Sequence, residues 1–405
     1  MIFREVKGKP MHRRRFLKAS AQAAVIYGLL PPAPCAQENP KPIPSKNRAR
    51  SARLAADLEQ LLPRLMKESV VPGLAIALVQ DGTLLWQKAF GVKNSATKEP
   101  VEPETVFEAA SVSKTVFAYL AMNLCEKGVL GLDRPLAKDA PKPFLDGDVR
   151  LDLITPRHVL SHTSGFQNWR SKDEDLKIHF APGQKFHYSG EGYYYLQSVI
   201  THLQGRVDPT DCAKFERGFE VCATDFDPYL KRTLLTPFGM HSSGYVWNQA
   251  FEKHSAQPHN SRGEASAKRK PRATAAARYG SAGGLHTTAG DYAKFLLEIL
   301  APKESDAHRL GRKSRQEMFR PQVKLPEEEK IDGADSWALG WAVQERKNGN
   351  VILHSGGNAG FSCLTMASVE RKSGFVVLTN SDNGGKIFFG PAFAELINPL
   401  LDGSL

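Results

Sequence analysis

The chain has 405 residues, of which 41% are hydrophobic and 24% charged. That balance excludes a largely disordered, collagen-like or polytopic membrane chain and leaves material for a sizeable core. The net charge is +11, yet Arg4, Lys7, Lys9, Arg13, Arg14, Arg15 and Lys18 against Glu5 put +6 of it into residues 1–36. A basic front end points to targeting before nucleic-acid binding.

Arg13-Arg14-Arg15-Phe16-Leu17-Lys18 fits the twin-arginine pattern R-R-x-F-L-K, followed by uncharged Ala19–Leu30 and small residues around Pro31–Ala36. Residues 1–36 therefore read as a twin-arginine-type export signal. The expected consequences are a periplasmic or secreted protein, folding before export, and the twin-arginine machinery as a partner. The apolar stretch is too short to span a bilayer. Cys35 is a poor lipid-attachment site, because Pro32-Ala33-Pro34 precedes it.

Residues 37–51, with Pro40, Pro42 and Pro44, read as a linker. Leu54, Leu58, Leu61, Leu62 and Leu65 predict a helix over 52–66. Gly73–Gln80 and Thr83–Gly91 read as strands joined by Asp81-Gly82, a hairpin turn. Ser111–Leu130 reads as a buried helix, and residues 130–300 mix helices with Pro- and Gly-rich loops. Trp337–Glu345, Val351–His354, Phe361–Ser368 and Gly374–Thr379 read as strands, and Ile387–Leu400 as a closing helix. Strands from both ends thus flank a helical middle. The predicted fold class is α+β: an antiparallel sheet flanked by helices in a domain spanning 52–405, with a mainly helical lobe inserted at roughly 115–290.

Cys212 and Cys222 lie ten apart in a polar segment and could close a local disulfide. The basic segment 262–278 reads as a solvated loop, since aromatics are not interleaved with its charges. Neither C-x-x-C nor H-E-x-x-H occurs, so no metal or cofactor is expected.

Ser111-Val112-Ser113-Lys114 is an S-x-x-K at a helix start. Positions i and i+3 share a helix face, so the lysine amine can sit beside the serine hydroxyl and take its proton during attack on a carbonyl. Burial would lower the lysine pKa, and the helix N-terminus would favour an oxyanion. A second copy, Ser95-Ala96-Thr97-Lys98, sits in a polar loop with no helix to place its lysine.

Phe107–Phe117 (FEAASVSKTVF) resembles the nucleophile segment of class C β-lactamases and related penicillin-binding-protein-like serine hydrolases. TPRHVLSHTSGF (155–166), FHYSGEGYYYL (186–196), LLTPFGM (234–240), GSAGGLHTTAGDYAKF (280–295) and His354-Ser355-Gly356-Gly357 resemble further motifs of that family, in the same order. The resemblance implies a β-lactamase/transpeptidase-like fold, with Ser111 as nucleophile and Lys114 as its partner. Tyr188 would share the base role and protonate the leaving group. The N–H groups of Ser111 and Gly357 would form the oxyanion hole. His354, beside Gly356, would take the place of the third-motif cation or hydrogen-bond donor. His162 reads as structural.

Two departures from the family pattern matter. Gly190 stands where the second motif usually has asparagine, and His354 where a lysine is common. Both weaken the case for β-lactam hydrolysis. The expected function is an exported serine hydrolase that acts through an acyl-enzyme on an ester or amide. The alternatives are a true β-lactamase, a D,D-carboxypeptidase, or a non-catalytic ligand-binding protein of the same fold.

Overall fold

Helix α1 (Ser45–Ser69) leads into the hairpin of β1 (Gly73–Gln80) and β2 (Thr83–Gly91). The computed structural model describes residues 45–141, 143–170, 174–204, 226–266 and 280–405. The segment read as an export signal, with Cys35, the Cys212/Cys222 pair, and 267–278 of the basic segment lie outside the described residues. The helix expected over 52–66 starts at Ser45, inside the segment read as a linker. Residues 46–50 hold no Gly or Pro to stop it. At the hairpin turn, Asp81 and Gly82 take φ of 51° and 72°, the two positive angles that a type I′ turn requires.

A short ribbon, β3 (Phe107–Glu108) with β4 (His286–Thr287), stands apart from the main sheet. The main sheet has eight antiparallel strands in the order β2-β1-β10-β9-β8-β7-β6-β5. Its C-terminal members are β5 (Val323–Lys324), β6 (Ser336–Trp337), β7 (Ala342–Gln344), β8 (Val351–Asn358), β9 (Phe361–Ser368) and β10 (Ser373–Thr379). Strand β1 pairs with β10, Ile76 opposite Val377. The two chain ends therefore build one sheet, as expected.

Every residue of β1 is buried, because both sheet faces are covered. Leu74, Ile76 and Leu78 pack with Leu54, Leu58 and Leu62 of α1 and with Phe393 and Ile397 of the C-terminal helix Pro391–Asp402. Ala75, Ala77 and Val79 face the other way, into the core that holds helix α2 (Ser113–Glu126) and the helix Ala289–Leu300. Large side chains on one face and small ones on the other follow the period of two. Each fully buried Leu or Ile contributes about 1.5–3 kcal/mol.

Three predicted elements change at their edges. The strand expected over 337–345 breaks into β6 and β7 at Gly340, whose φ is +83°. A Cβ there would meet the Ala118 side chain of α2 at 2.3 Å, so glycine permits both the bend and the close approach. The helix expected over 111–130 opens with a 3₁₀ turn, Ala110–Val112, and ends at Glu126. The closing helix divides into Gly385–Phe388 and Pro391–Asp402, since Pro391 has no N–H and starts the second piece. Among the described residues, no helix is long and apolar enough to cross a membrane.

Candidate active site

The site forms where the start of α2, the residues just before the helix Gly190–Leu203, and β8 meet. Ser111 lies in the 3₁₀ turn, and Lys114 follows in the first turn of α2. Ala110, just before Ser111, has φ of +44°, which costs an L-residue roughly 1–2 kcal/mol. Neighbouring bonds hold it there. Ser113 Oγ donates to Ala110 O at 2.5 Å and accepts from Leu285 N at 2.9 Å. Cys363 Sγ donates to Ala109 O at 2.9 Å.

Lys114 is completely buried. Its Nζ donates to Ala282 O at 2.6 Å and lies 3.4 Å from Ser111 Oγ. Burial brings its pKa from 10.5 down to about 7, so the neutral amine is available near neutral pH. The same nitrogen sits 4.9 Å from the ring centre of Tyr188 and 5.4 Å from that of Tyr193.

Tyr188 sits just before helix α3 (Gly190–Leu203). Ser189 caps that helix through a bond from Gly192 N to Ser189 Oγ. The Asn168 side chain accepts from Gly190 N at 3.0 Å. His162 Nδ1 accepts from Ser189 N at 3.0 Å, and its ring lies 4.2 Å from the Tyr188 ring. Read as structural from the sequence, His162 thus positions Tyr188 directly. The Tyr188 hydroxyl is buried and faces Ser111 without completing a hydrogen bond. Burial raises its pKa, Asp332 adds to the rise and Ser111 opposes it. The phenol therefore keeps its proton at neutral pH.

The third segment lies on β8. Strand β7 pairs with β8 only as far as Leu353. Beyond that point, β8 turns its free edge to the nucleophile. A Cβ on Gly356 would stand 2.7 Å from Ala109 O and 2.9 Å from Ser111 N. Only glycine allows this approach. A pocket of about 210 Å³ opens here, lined by Ser111, Tyr188, Trp337, His354, Gly356 and Gly357 among others. The six residues singled out in the sequence therefore meet at one place, with Lys114 behind Ser111 and Tyr188.

His354 stands where the resemblance implied a cation or a hydrogen-bond donor. It is buried, its Nδ1 donates to Ser355 O at 2.6 Å, and burial followed by the nearby Lys114 brings its pKa to about 3. The ring is neutral, with Nε2 left as an acceptor. It supplies neither a positive charge nor an Nε2 donor.

Three contributors were not legible in the sequence. Ala282 O, the acceptor for Lys114, lies inside GSAGG, but its role depends on the fold. Trp169 covers Gly190: a Cβ at 190 would meet the indole at 2.2 Å. An aromatic ring thus occupies the space beside the second motif where the family's asparagine would project, and its centre is 5.8 Å from Lys114 Nζ. Asp332 lines the same pocket as Ser111. Its only sequence signal was the Asp332-Gly333 turn pattern.

The sequence profile of the Beta-lactamase family matches residues 58–394. The chain belongs to that family. Penicillin-binding protein 4* of Bacillus subtilis (strain 168) is 23% identical over 354 residues, covering 80% of this chain and 71% of the relative. Esterase EstB of Burkholderia gladioli is 31% identical over 121 residues, which span 29% of this chain and 31% of the esterase. A solved class C β-lactamase superposes with a TM-score of 0.66 at 19% identity, covering 85% of this chain and 96% of that one. At that identity the likeness establishes the fold. The protein is a serine hydrolase of the Beta-lactamase family.

Proposed function

We propose that the protein is an exported hydrolase of esters or amides other than β-lactams, with Ser111 as nucleophile and Lys114 as its base. The observation that carries this reading is a fully buried amine, with a pKa of about 7, placed 3.4 Å from Ser111 Oγ. Neutral Lys114 takes the proton as Ser111 Oγ bonds to the substrate carbonyl carbon. The N–H groups of Ser111 and Gly357 hold the oxyanion. Tyr188 Oη then gives its proton to the leaving group and is recharged from the Lys114 ammonium. Because its pKa is raised, Tyr188 serves as a proton donor and relay; it is not a standing phenolate base. Water releases the acid by the same relay run in reverse.

Two features disfavour β-lactams and D-alanyl peptides. Trp169 fills the space of the second-motif amide, and neutral His354 offers no cation to a substrate carboxylate. Ester-class turnover is the expected outcome. Export rests on the twin-arginine pattern at Arg13–Lys18. The test is a panel of p-nitrophenyl butyrate, nitrocefin and a D-Ala-D-Ala peptide. Rapid ester turnover, abolished in Ser111→Ala, supports the reading. Turnover of nitrocefin above the ester would overturn it in favour of a β-lactamase, and turnover of none would favour a ligand-binding role.

A further inference from the structure

Asp332 and Gly333, with φ of +55° and +73°, form a tight turn like that of Asp81-Gly82, a turn that Asp-Gly favours; what sets Asp332 apart is its carboxylate. Its Oδ2 is buried with no hydrogen-bond partner, and an unpaired buried carboxylate oxygen is costly. The loop is nevertheless pinned in place. Ala334 N donates to Ile331 O at 2.9 Å, and Gln344 Nε2 donates to Asp332 O at 2.8 Å.

The position gives this unpartnered oxygen a purpose. Asp332 lines the same pocket as Ser111, beside Ser355 of the third segment. Among the described residues, the pocket wall holds no Lys or Arg. The Ser355 hydroxyl faces the carboxylate, and Asp332 acts electrostatically on Tyr188. Trp337 and Tyr188 add aromatic surface to the wall. A carboxylate beside aromatic rings is the chemistry that holds an ammonium group. It would repel a substrate carboxylate at the same place.

We propose that Asp332 determines specificity by selecting substrates that carry a protonated amine or quaternary ammonium, and by rejecting those with a free carboxylate at that position. This rests on the hydrolase reading above and names its substrate class. The cation can belong to the acyl part or to the leaving group, and two matched arms separate these sources. The acyl arm compares p-nitrophenyl 4-(trimethylammonio)butyrate with its neutral isostere, p-nitrophenyl 5,5-dimethylhexanoate, and with the anionic p-nitrophenyl hemiglutarate. The leaving-group arm compares acetylcholine with 3,3-dimethylbutyl acetate.

The wild type is expected to favour the cation over its neutral isostere by about tenfold in kcat/KM in one arm, with the anionic ester poorest. Asp332→Asn brings that ratio towards unity, and Asp332→Glu keeps part of it. The ratio is read within each protein, so a general loss of activity does not imitate the effect. The wild-type preference also stands without any variant. No preference in either arm, an anionic preference, or a cationic preference that persists in Asp332→Asn overturns the inference. Turnover of neutral esters through Ser111 without a cation preference defeats this inference alone; no turnover of any ester, of nitrocefin or of the D-Ala-D-Ala peptide defeats the hydrolase reading with it.

Discussion

Replacing Lys114 by methionine should make the protein more stable below neutral pH while removing its base. Lys114 is fully buried, and burial brings its pKa from 10.5 to about 7. Between those values the unfolded chain binds a proton that the folded chain lacks, so stability rises with pH across that window and is reduced below it. The gap of about 3.5 pH units corresponds to about 5 kcal/mol at ~1.36 kcal/mol per unit. Methionine has a similar length without the charge, but leaves Ala282 O without its 2.6 Å donor, a loss of about 1–3 kcal/mol. The net expectation is a gain of about 2–4 kcal/mol near pH 6.5 that shrinks by about 3 kcal/mol by pH 9.5. Urea unfolding of both proteins across that range measures the difference directly. A difference that stays flat or grows with pH would refute the reasoning, because it would mean that Lys114 is not held against its charge by burial.

Activity should follow the same ionisation: kcat/KM for a neutral ester rises through about pH 7 and levels off above it, as Lys114 sheds its proton. A profile flat from pH 5.5 to 8.5 would count against the amine as base. Gly190→Asn would drive its side chain into the Trp169 indole, 2.2 Å from the new Cβ, at a cost of about 1–3 kcal/mol. Adding Trp169→Ala should recover most of that loss in thermal unfolding, and strictly additive effects would show that the two positions do not compete for one space. Gly356→Ala would place a methyl 2.7 Å from Ala109 O and 2.9 Å from Ser111 N. Parting β8 from the nucleophile should lower kcat about 10²–10³-fold with a small change in KM; unchanged kcat would deny the oxyanion role of this edge.

Local signals in the chain translated well into structure. The Asp81-Gly82 turn, the strand-like run Gly73–Gln80 and the S-x-x-K at Ser111 each depend on neighbours a few residues away, and each is found where it was expected. What stayed hidden depends on distant contacts. Trp169 and Gly190 are twenty-one positions apart, and only packing shows that one fills the space beside the other. His354 could be located from its motif, but its neutrality comes from burial and from Lys114, which no spacing encodes. The split of the strand around Gly340 answers to the proximity of Ala118 on α2, not to any hydrophobic alternation of its own. Asp332 was invisible for the same reason, since its weight lies in the pocket it lines.

The most direct test of the central claim is the intact mass of the protein after treatment with a fluorophosphonate, alongside Ser111→Ala and Lys114→Met. The account predicts one phosphonyl adduct on the wild type, mapped to Ser111 by peptide sequencing, none on Ser111→Ala, and labelling of Lys114→Met slowed by about two orders of magnitude or more. An unlabelled but folded wild type, or an adduct that survives Ser111→Ala, would contradict it.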